Sequence, residues 1–144
     1  LSSPTFYVSE YIEEHRQGYY DSLLAVSGNG DWTGWCEYFL KAMTEQGKRN
    51  ESRADSIITS YKEKKEIMRN DKAPGGDPTR ALDFFFENVE FNSKAFRDET
   101  GMTDATANRL IKYCVEKGWL ECTKEAKGRS PATYSFTQLR ELIG

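Results

Sequence analysis

Apolar side chains recur at three- and four-residue steps through most of this chain, the rhythm of helices with one buried face. The longest such run lies between Asp31 and Asn70. Trp32, Trp35, Cys36, Phe39, Leu40 and Met43 form its first apolar stripe, and Ala54, Ile57, Ile58, Tyr61 and Met68 resume it after a polar middle. Unbroken, this helix would extend roughly 60 Å, longer than a small domain is wide, so its stripe is expected to serve two bodies. Gly47 and Asn50 weaken its centre, where a bend or break could fall. Upstream, Leu1 to Pro4 reads as loop. Ser9 is placed to cap a helix through about Val26, with Val8, Ile12, His15, Tyr19, Leu23 and Val26 on one face. Ser27-Gly28-Asn29-Gly30 then reads as a turn and Asp31 as the next cap, so the first two helices form a hairpin.

Ala73-Pro74-Gly75-Gly76-Asp77-Pro78 ends the long helix, because proline removes a donor and glycine frees the backbone. Asp77 and Pro78 are suited to start a new helix carrying Leu82, Phe85, Phe86 and Val89. Asn92 or Ser93 begins another through Thr100, Gly101 turns the chain, and Thr103 caps a third through Lys117. In that third helix Ala107, Leu110, Ile111, Cys114 and Val115 are expected to point inward. Trp119 to Thr123 and Ala132 to Phe136 alternate like paired strands, and Leu139, Leu142 and Ile143 return a last helical turn to the core. The fold class predicted is mainly α: a helical hairpin with one very long helix, then a winged helix-turn-helix with a small antiparallel β wing. Its divisions are residues 1–72, a linker at 73–78, and the winged helix at 79–144.

With 144 residues, 38% hydrophobic and 13% aromatic, the chain can build real cores. A net charge of -3 gives no overall attraction to nucleic acid or an acidic membrane surface. No apolar stretch approaches a membrane span, and no secretory leader is visible, so a soluble, cytoplasmic protein is expected. Cys36, Cys114 and Cys122 are odd in number and lack C-x-x-C spacing; they read as reduced core thiols. His15, the single histidine, reads as a packed, hydrogen-bonded residue, since no clustered cysteines or carboxylates supply metal partners. Gly28-Asn29-Gly30 reads as a turn and not as a P-loop, lacking the Gly-Lys-Ser/Thr ending. The mixed-sign tract Lys62-Glu63-Lys64-Lys65 reads as a solvated helix face.

Tyr7-Val8-Ser9-Glu10-Tyr11-Ile12-Glu13-Glu14-His15-Arg16, then Tyr19-Tyr20-Asp21, Leu23-Leu24, Gly30-Asp31-Trp32, Trp35 and Glu37-Tyr38-Phe39-Leu40, resembles the downstream half of Fic-domain proteins. In that family a helical domain carries the motif His-Pro-Phe-x-Asp/Glu-Gly-Asn-Gly-Arg, and most members transfer AMP from ATP to a hydroxyl of a target protein. The resemblance covers about Leu1 to Met43. The motif occurs nowhere in this sequence, and His15 is followed by Arg16-Gln17-Gly18. The chain therefore resembles the portion after the motif and is expected to be non-catalytic alone, the upstream catalytic core being its partner and ATP and Mg belonging to the parent protein. The same resemblance implies that Tyr20, the second of the tyrosine pair, and Ser27 face the adenine. A tyrosine ring suits that role, with a flat face for stacking and a hydroxyl that stays wet. A purely core Tyr20 and a solvent-exposed Ser27 are the alternatives.

Ala95-Phe96, Gly101-Met102-Thr103, Ala107-Asn108-Arg109-Leu110 and Gly118-Trp119-Leu120 resemble winged-helix domains, including those at the C-terminus of many bacterial Fic proteins. Such a domain can present its third helix to the DNA major groove and its wing to phosphates. The outward set would be Thr106, Asn108, Arg109 and Lys112, with Lys124, Lys127 and Arg129 on the wing. From Asp77 onward, however, acidic residues outnumber basic ones by one, whereas dedicated DNA-binding domains are basic. Two functions follow as expectations. One is a non-catalytic C-terminal portion of a Fic-family protein adenylyltransferase, whose winged helix recruits a protein target, regulates or dimerises. The other is a DNA-binding transcriptional regulator.

Overall fold

The computed structural model describes residues 8–143. The expected loop at Leu1 to Pro4, Tyr7 of the Fic-like pattern and the inward turn of Ile143 lie outside the described residues and side chains. The chain folds as α1 (Val8–Glu14), α2 (Arg16–Asn29), α3 (Trp32–Asn70), α4 (Thr79–Glu87), β1 (Glu90–Asn92), α5 (Ser93–Thr100), α6 (Asp104–Glu116), β2 (Leu120–Lys124), β3 (Thr133–Phe136) and α7 (Thr137–Ile143). The fold is mainly α, and the long helix runs 39 residues without a break at Gly47 or Asn50. Two compact units, Leu1–Asp55 and Ser56–Gly144, divide the chain inside α3 and not in the 73–78 stretch. Among the described residues no helix is long and apolar enough to cross a membrane.

In the first unit the helix expected from Ser9 to Val26 is two helices. The backbone leaves helical geometry at His15, with φ -115° and ψ 36°. His15 is exposed and not core: its ring stacks on Tyr11 at 4.1 Å, with Nδ1 2.9 Å from the Tyr11 carbonyl oxygen. On either side of the break both helices meet α3, α1 through Glu10 and Glu14 and α2 through Tyr19 against Trp35. Glu10 accepts two bonds from Arg53, at 2.7 and 3.0 Å, and one from Gln46 at 2.9 Å. Arg49 pairs with Glu14 at 2.8 Å and lies over the Tyr11 ring. The polar middle of α3 is therefore a paired surface; Gln46 is fully buried. Gly30 ends α2 in the left-handed conformation, φ 69°, and Asp31 accepts from the Gly34 amide at 2.9 Å as the cap of α3. Because α2 runs on to Asn29, Ser27 and Gly28 lie in helix and not in the expected turn.

The Glu10 carboxyl is held down at about 2, first by its hydrogen bond from Arg53 and then by that from Gln46. A carboxyl with a lowered folded pKa stabilises fully above its unfolded value, 4.5 here, and loses that contribution as pH falls toward 2. Amide exchange in α1 is expected to accelerate through that interval in the native sequence. The Glu10→Gln variant should start less protected and show a flatter acid response; an unchanged acid profile would refute the assignment.

The second unit is a winged helix-turn-helix with the C-terminal part of α3 added to it. Its core brings Phe84, Phe85, Phe91, Phe96 and Phe136 together with Leu82, Leu110, Cys114, Leu120, Leu139 and Met68. The inward line along α3 is Ile57, Ser60, Tyr61, Lys64 and Met68, while Ile58 is half exposed. Lys64, expected on a solvated face, is 4% exposed, because steps of four carry the stripe from Ser60 through Lys64 to Met68. Helix α3 stops at Asn70, before the predicted breakers, and Lys72 takes φ 52°. Asp71 then fixes the exit, bonded by Lys117 at 2.7 Å and Tyr113 at 2.8 Å.

Asp77 accepts from the Thr79 amide and hydroxyl at the start of α4. Asn92 caps α5, Gly101 closes it at φ 67°, and Thr103 caps α6. Strand β1, not foreseen, joins the wing pair to give a three-stranded antiparallel sheet in the order β1-β3-β2. Phe91 faces Tyr134 in one register and Cys122 faces it in the other, with an irregularity between Cys122 and Lys124. Val115, expected inside, is 38% exposed. Of the three thiols expected in cores only Cys114 is buried; Cys36 and Cys122 are exposed.

Candidate functional site

The first unit shows an apolar face along α2 and the start of α3. Tyr20, Leu24 and Ser27 lie three and four residues apart, so they share one side of α2. Tyr20 is 57% and Leu24 68% exposed, so a purely core Tyr20 is excluded. Its neighbour Tyr19 takes the inward position, edge-on to Trp35 at 5.6 Å and tilted against Tyr38 at 6.4 Å. Gly18 permits that packing, since a Cβ there would stand 3.3 Å from the Tyr38 ring. The Ser27 hydroxyl is exposed and donates to the Leu23 carbonyl at 3.0 Å, leaving its acceptor side open. Trp32 and Leu40, 65% and 63% exposed, add to the apolar surface on α3. Large exposed apolar patches of this kind mark places where another surface binds.

In the second unit Asn108, Arg109 and Lys112 are exposed on α6, whereas Thr106 is half buried. Thr106 bonds the Thr103 hydroxyl at 3.0 Å as part of the helix cap, so it is committed locally. Arg109 curls back to donate to the Ala105 carbonyl, and Lys112 stands 3.8 Å from Glu116. On the wing Lys124, Lys127 and Arg129 are all exposed and have no ion pair among the described residues. Lys127 and Ser130 exchange backbone bonds of 3.1 and 3.0 Å around Gly128 and Arg129. Gly128 takes φ 60° there, the positive φ at the first central position of a type II′ turn, and Arg129 sits at the tip. The structure thus places all four helix residues on α6, with Asn108, Arg109 and Lys112 exposed and Thr106 half buried in its cap, and the three wing cations on one hairpin.

Between α6 and the hairpin lies a cleft of about 410 Å³, lined by Asn108, Ile111, Lys112, Val115, Glu116, Cys122 and Tyr134. Burial, and after it the neighbouring Cys122, pushes the Tyr134 hydroxyl above its ordinary pKa, so it stays neutral and can donate. Sequence periodicity missed this cleft because Ile111 and Val115 were both assigned to the core. The alternation of Glu121, Cys122, Thr133 and Tyr134 was the available signal.

No known protein-family model matches the chain. Among the described residues no group of three or more His, Cys, Asp or Glu side chains is arranged to hold a metal ion.

Proposed function

We propose that this chain is the non-catalytic C-terminal part of a Fic-type protein adenylyltransferase, whose winged helix recruits the protein to be modified. The reading starts from the ordered residues between Val8 and Leu40 that resemble that family. The observation that carries it furthest is the exposed row Tyr20, Leu24 and Ser27 on α2. A ring with more than half its surface free, a flanking apolar side chain and a hydroxyl one further turn along suit one side of an adenine pocket. An upstream core carrying the His-Pro-Phe-x-Asp/Glu-Gly-Asn-Gly-Arg motif would supply the other side, together with the phosphate and Mg contacts. In this reading Tyr20 binds and orients the base and takes no proton.

The coding sequence upstream of Leu1 is the first test, and absence of the motif there ends the proposal. With the motif present, full-length protein and labelled ATP should label a protein in a cell lysate. Tyr20→Ala should weaken ATP binding by roughly 5- to 150-fold, since one base–aromatic stack contributes about 1–3 kcal/mol. Equal affinity of both proteins would remove Tyr20 from the site.

A DNA-binding regulator is the second reading, favoured by the exposed Asn108, Arg109 and Lys112 with the wing-tip Arg129. Asparagine and arginine read adenine and guanine edges, and wing cations release counterions. Retardation of random duplex at low salt supports it, and free migration at micromolar protein counts against it.

A further inference from the structure

The cleft between α6 and the β2–β3 hairpin combines three properties. Its floor is apolar, with Ile111 and Val115 from the helix and Cys122 and Tyr134 from the sheet. Its wall β2 is an edge strand, and no backbone bond joins that strand to anything but β3 among the described residues. Its hairpin carries Lys124, Lys127 and Arg129 against Glu121 and Glu125, of which Glu121 stands 4.0 Å from Arg140, while Lys112 and Glu116 on the facing helix offset each other.

We propose that this cleft docks an extended acidic segment of a partner protein, with one bulky apolar side chain seated between Val115 and Tyr134. The proposal rests on the reading of the winged helix as a recruiting module. Charge complementarity selects the occupant: the hairpin is cationic within a chain of net charge -3, so it attracts a local acidic sequence and not acidic surfaces in general. An open edge strand offers main-chain bonds to an extended peptide, and an adjoining apolar pocket takes an alternate side chain, which is β-strand addition. Duplex DNA fits the same surface less well. It would leave the apolar floor of Ile111, Val115, Cys122 and Tyr134 unused.

The test uses the full chain and a short fluorescein-labelled peptide of Asp and Glu around one central Phe, followed by anisotropy. Saturable binding is expected, with amide shift changes confined to residues 108–116 and 120–135. Val115→Asp, and separately the double change Lys127→Glu with Arg129→Glu, should each weaken it at least tenfold. Arg80→Glu, on α4, should leave it unchanged. Replacing the peptide Phe with Ser should cost a similar factor. Equal binding of the Ser peptide overturns the pocket, and shift changes elsewhere overturn the location. If the peptide fails while duplex DNA binds through the same residues, both this proposal and the recruiting role fall. Failure of the peptide with no DNA binding, in a protein whose upstream motif and AMP transfer are present, defeats the docking groove alone. Self-association through the cleft, seen by sedimentation and abolished by Val115→Asp, would also overturn it in favour of a second copy.

Discussion

Phe85→Ala is expected to destabilise the second unit by about 3–5 kcal/mol, the cost of removing a fully buried aromatic ring and leaving a cavity. Phe85 is 1% exposed and stacks on Phe96 at 5.0 Å with 13° between ring planes. It also meets Phe91 at 5.4 Å and Phe136 at 6.2 Å, so it joins α4, β1, α5 and β3. A body of this size is stable by something on the order of 5–10 kcal/mol, so the variant loses a third or more of that. Slowly exchanging amides in residues 79–139 should become fast while those of α2 keep their rates. Phe86→Ala, at the half-buried next position, is the comparison and should cost less. Equal losses for the two would contradict the core described above.

The second large effect has the opposite sign. Lys64→Met is expected to stabilise the second unit by about 1–3 kcal/mol near neutral pH, because a buried charge without a counter-charge costs several kcal/mol that a matching apolar side chain avoids. No carboxylate lies within 4 Å of Lys64 among the described residues; its ammonium donates to Ser60 at 3.0 Å and to Gln138. The rings of Trp119 and Phe136 face it at 5.3 and 5.6 Å. Burial holds its pKa below the ordinary 10.5, against smaller opposing effects of Glu63 and Cys114, and burial likewise pushes the Cys114 thiol up to about 12. Between the lowered folded value and 10.5 the unfolded chain binds more protons, so native stability rises with pH across that window. The advantage of methionine is therefore largest below the folded pKa and shrinks toward pH 10.5. Urea unfolding at several pH values, followed by signals of the second unit, reads this directly. A variant less stable than the native protein at pH 7 would show that the Ser60, Gln138 and ring contacts outweigh the burial cost.

Lys64 also shows where sequence reasoning stops. Periodicity found the helices, and turn chemistry at Gly30, Asp77, Asn92, Gly101 and Thr103 placed their ends, because caps are local and their residues specific. The Lys62-Glu63-Lys64-Lys65 tract carried no sign that one lysine turns inward, since a charged side chain counts as polar wherever its neighbours point. The break at His15 was hidden because the apolar rhythm runs on through it, and the pairs that α1 makes with α3, Glu10 with Arg53 and Glu14 with Arg49, join residues distant in sequence. Strand β1 escaped because three residues are too few to show alternation. At the sites, exposure of Asn108, Arg109 and Lys112 followed from helical phase, whereas Tyr20 stood open between core and pocket. The inward cap role of Thr106 and the cleft beside Val115 depended on how α6 meets the sheet.

Met68, Lys64 and Ser60 belong to the core of the second unit although they precede the Pro74-Gly75-Gly76 breakers. That fact sets the smallest piece able to fold as a winged helix by itself. A fragment cut at Thr79, just past the breakers, would uncover Trp119, Phe136 and Phe86, which Lys64 and Tyr61 face, and would remove Ser60 and Lys64, the partners of Gln138. One begun at Ser56 keeps that wall. For anyone expressing this module separately, the useful starting residue lies in the middle of a helix.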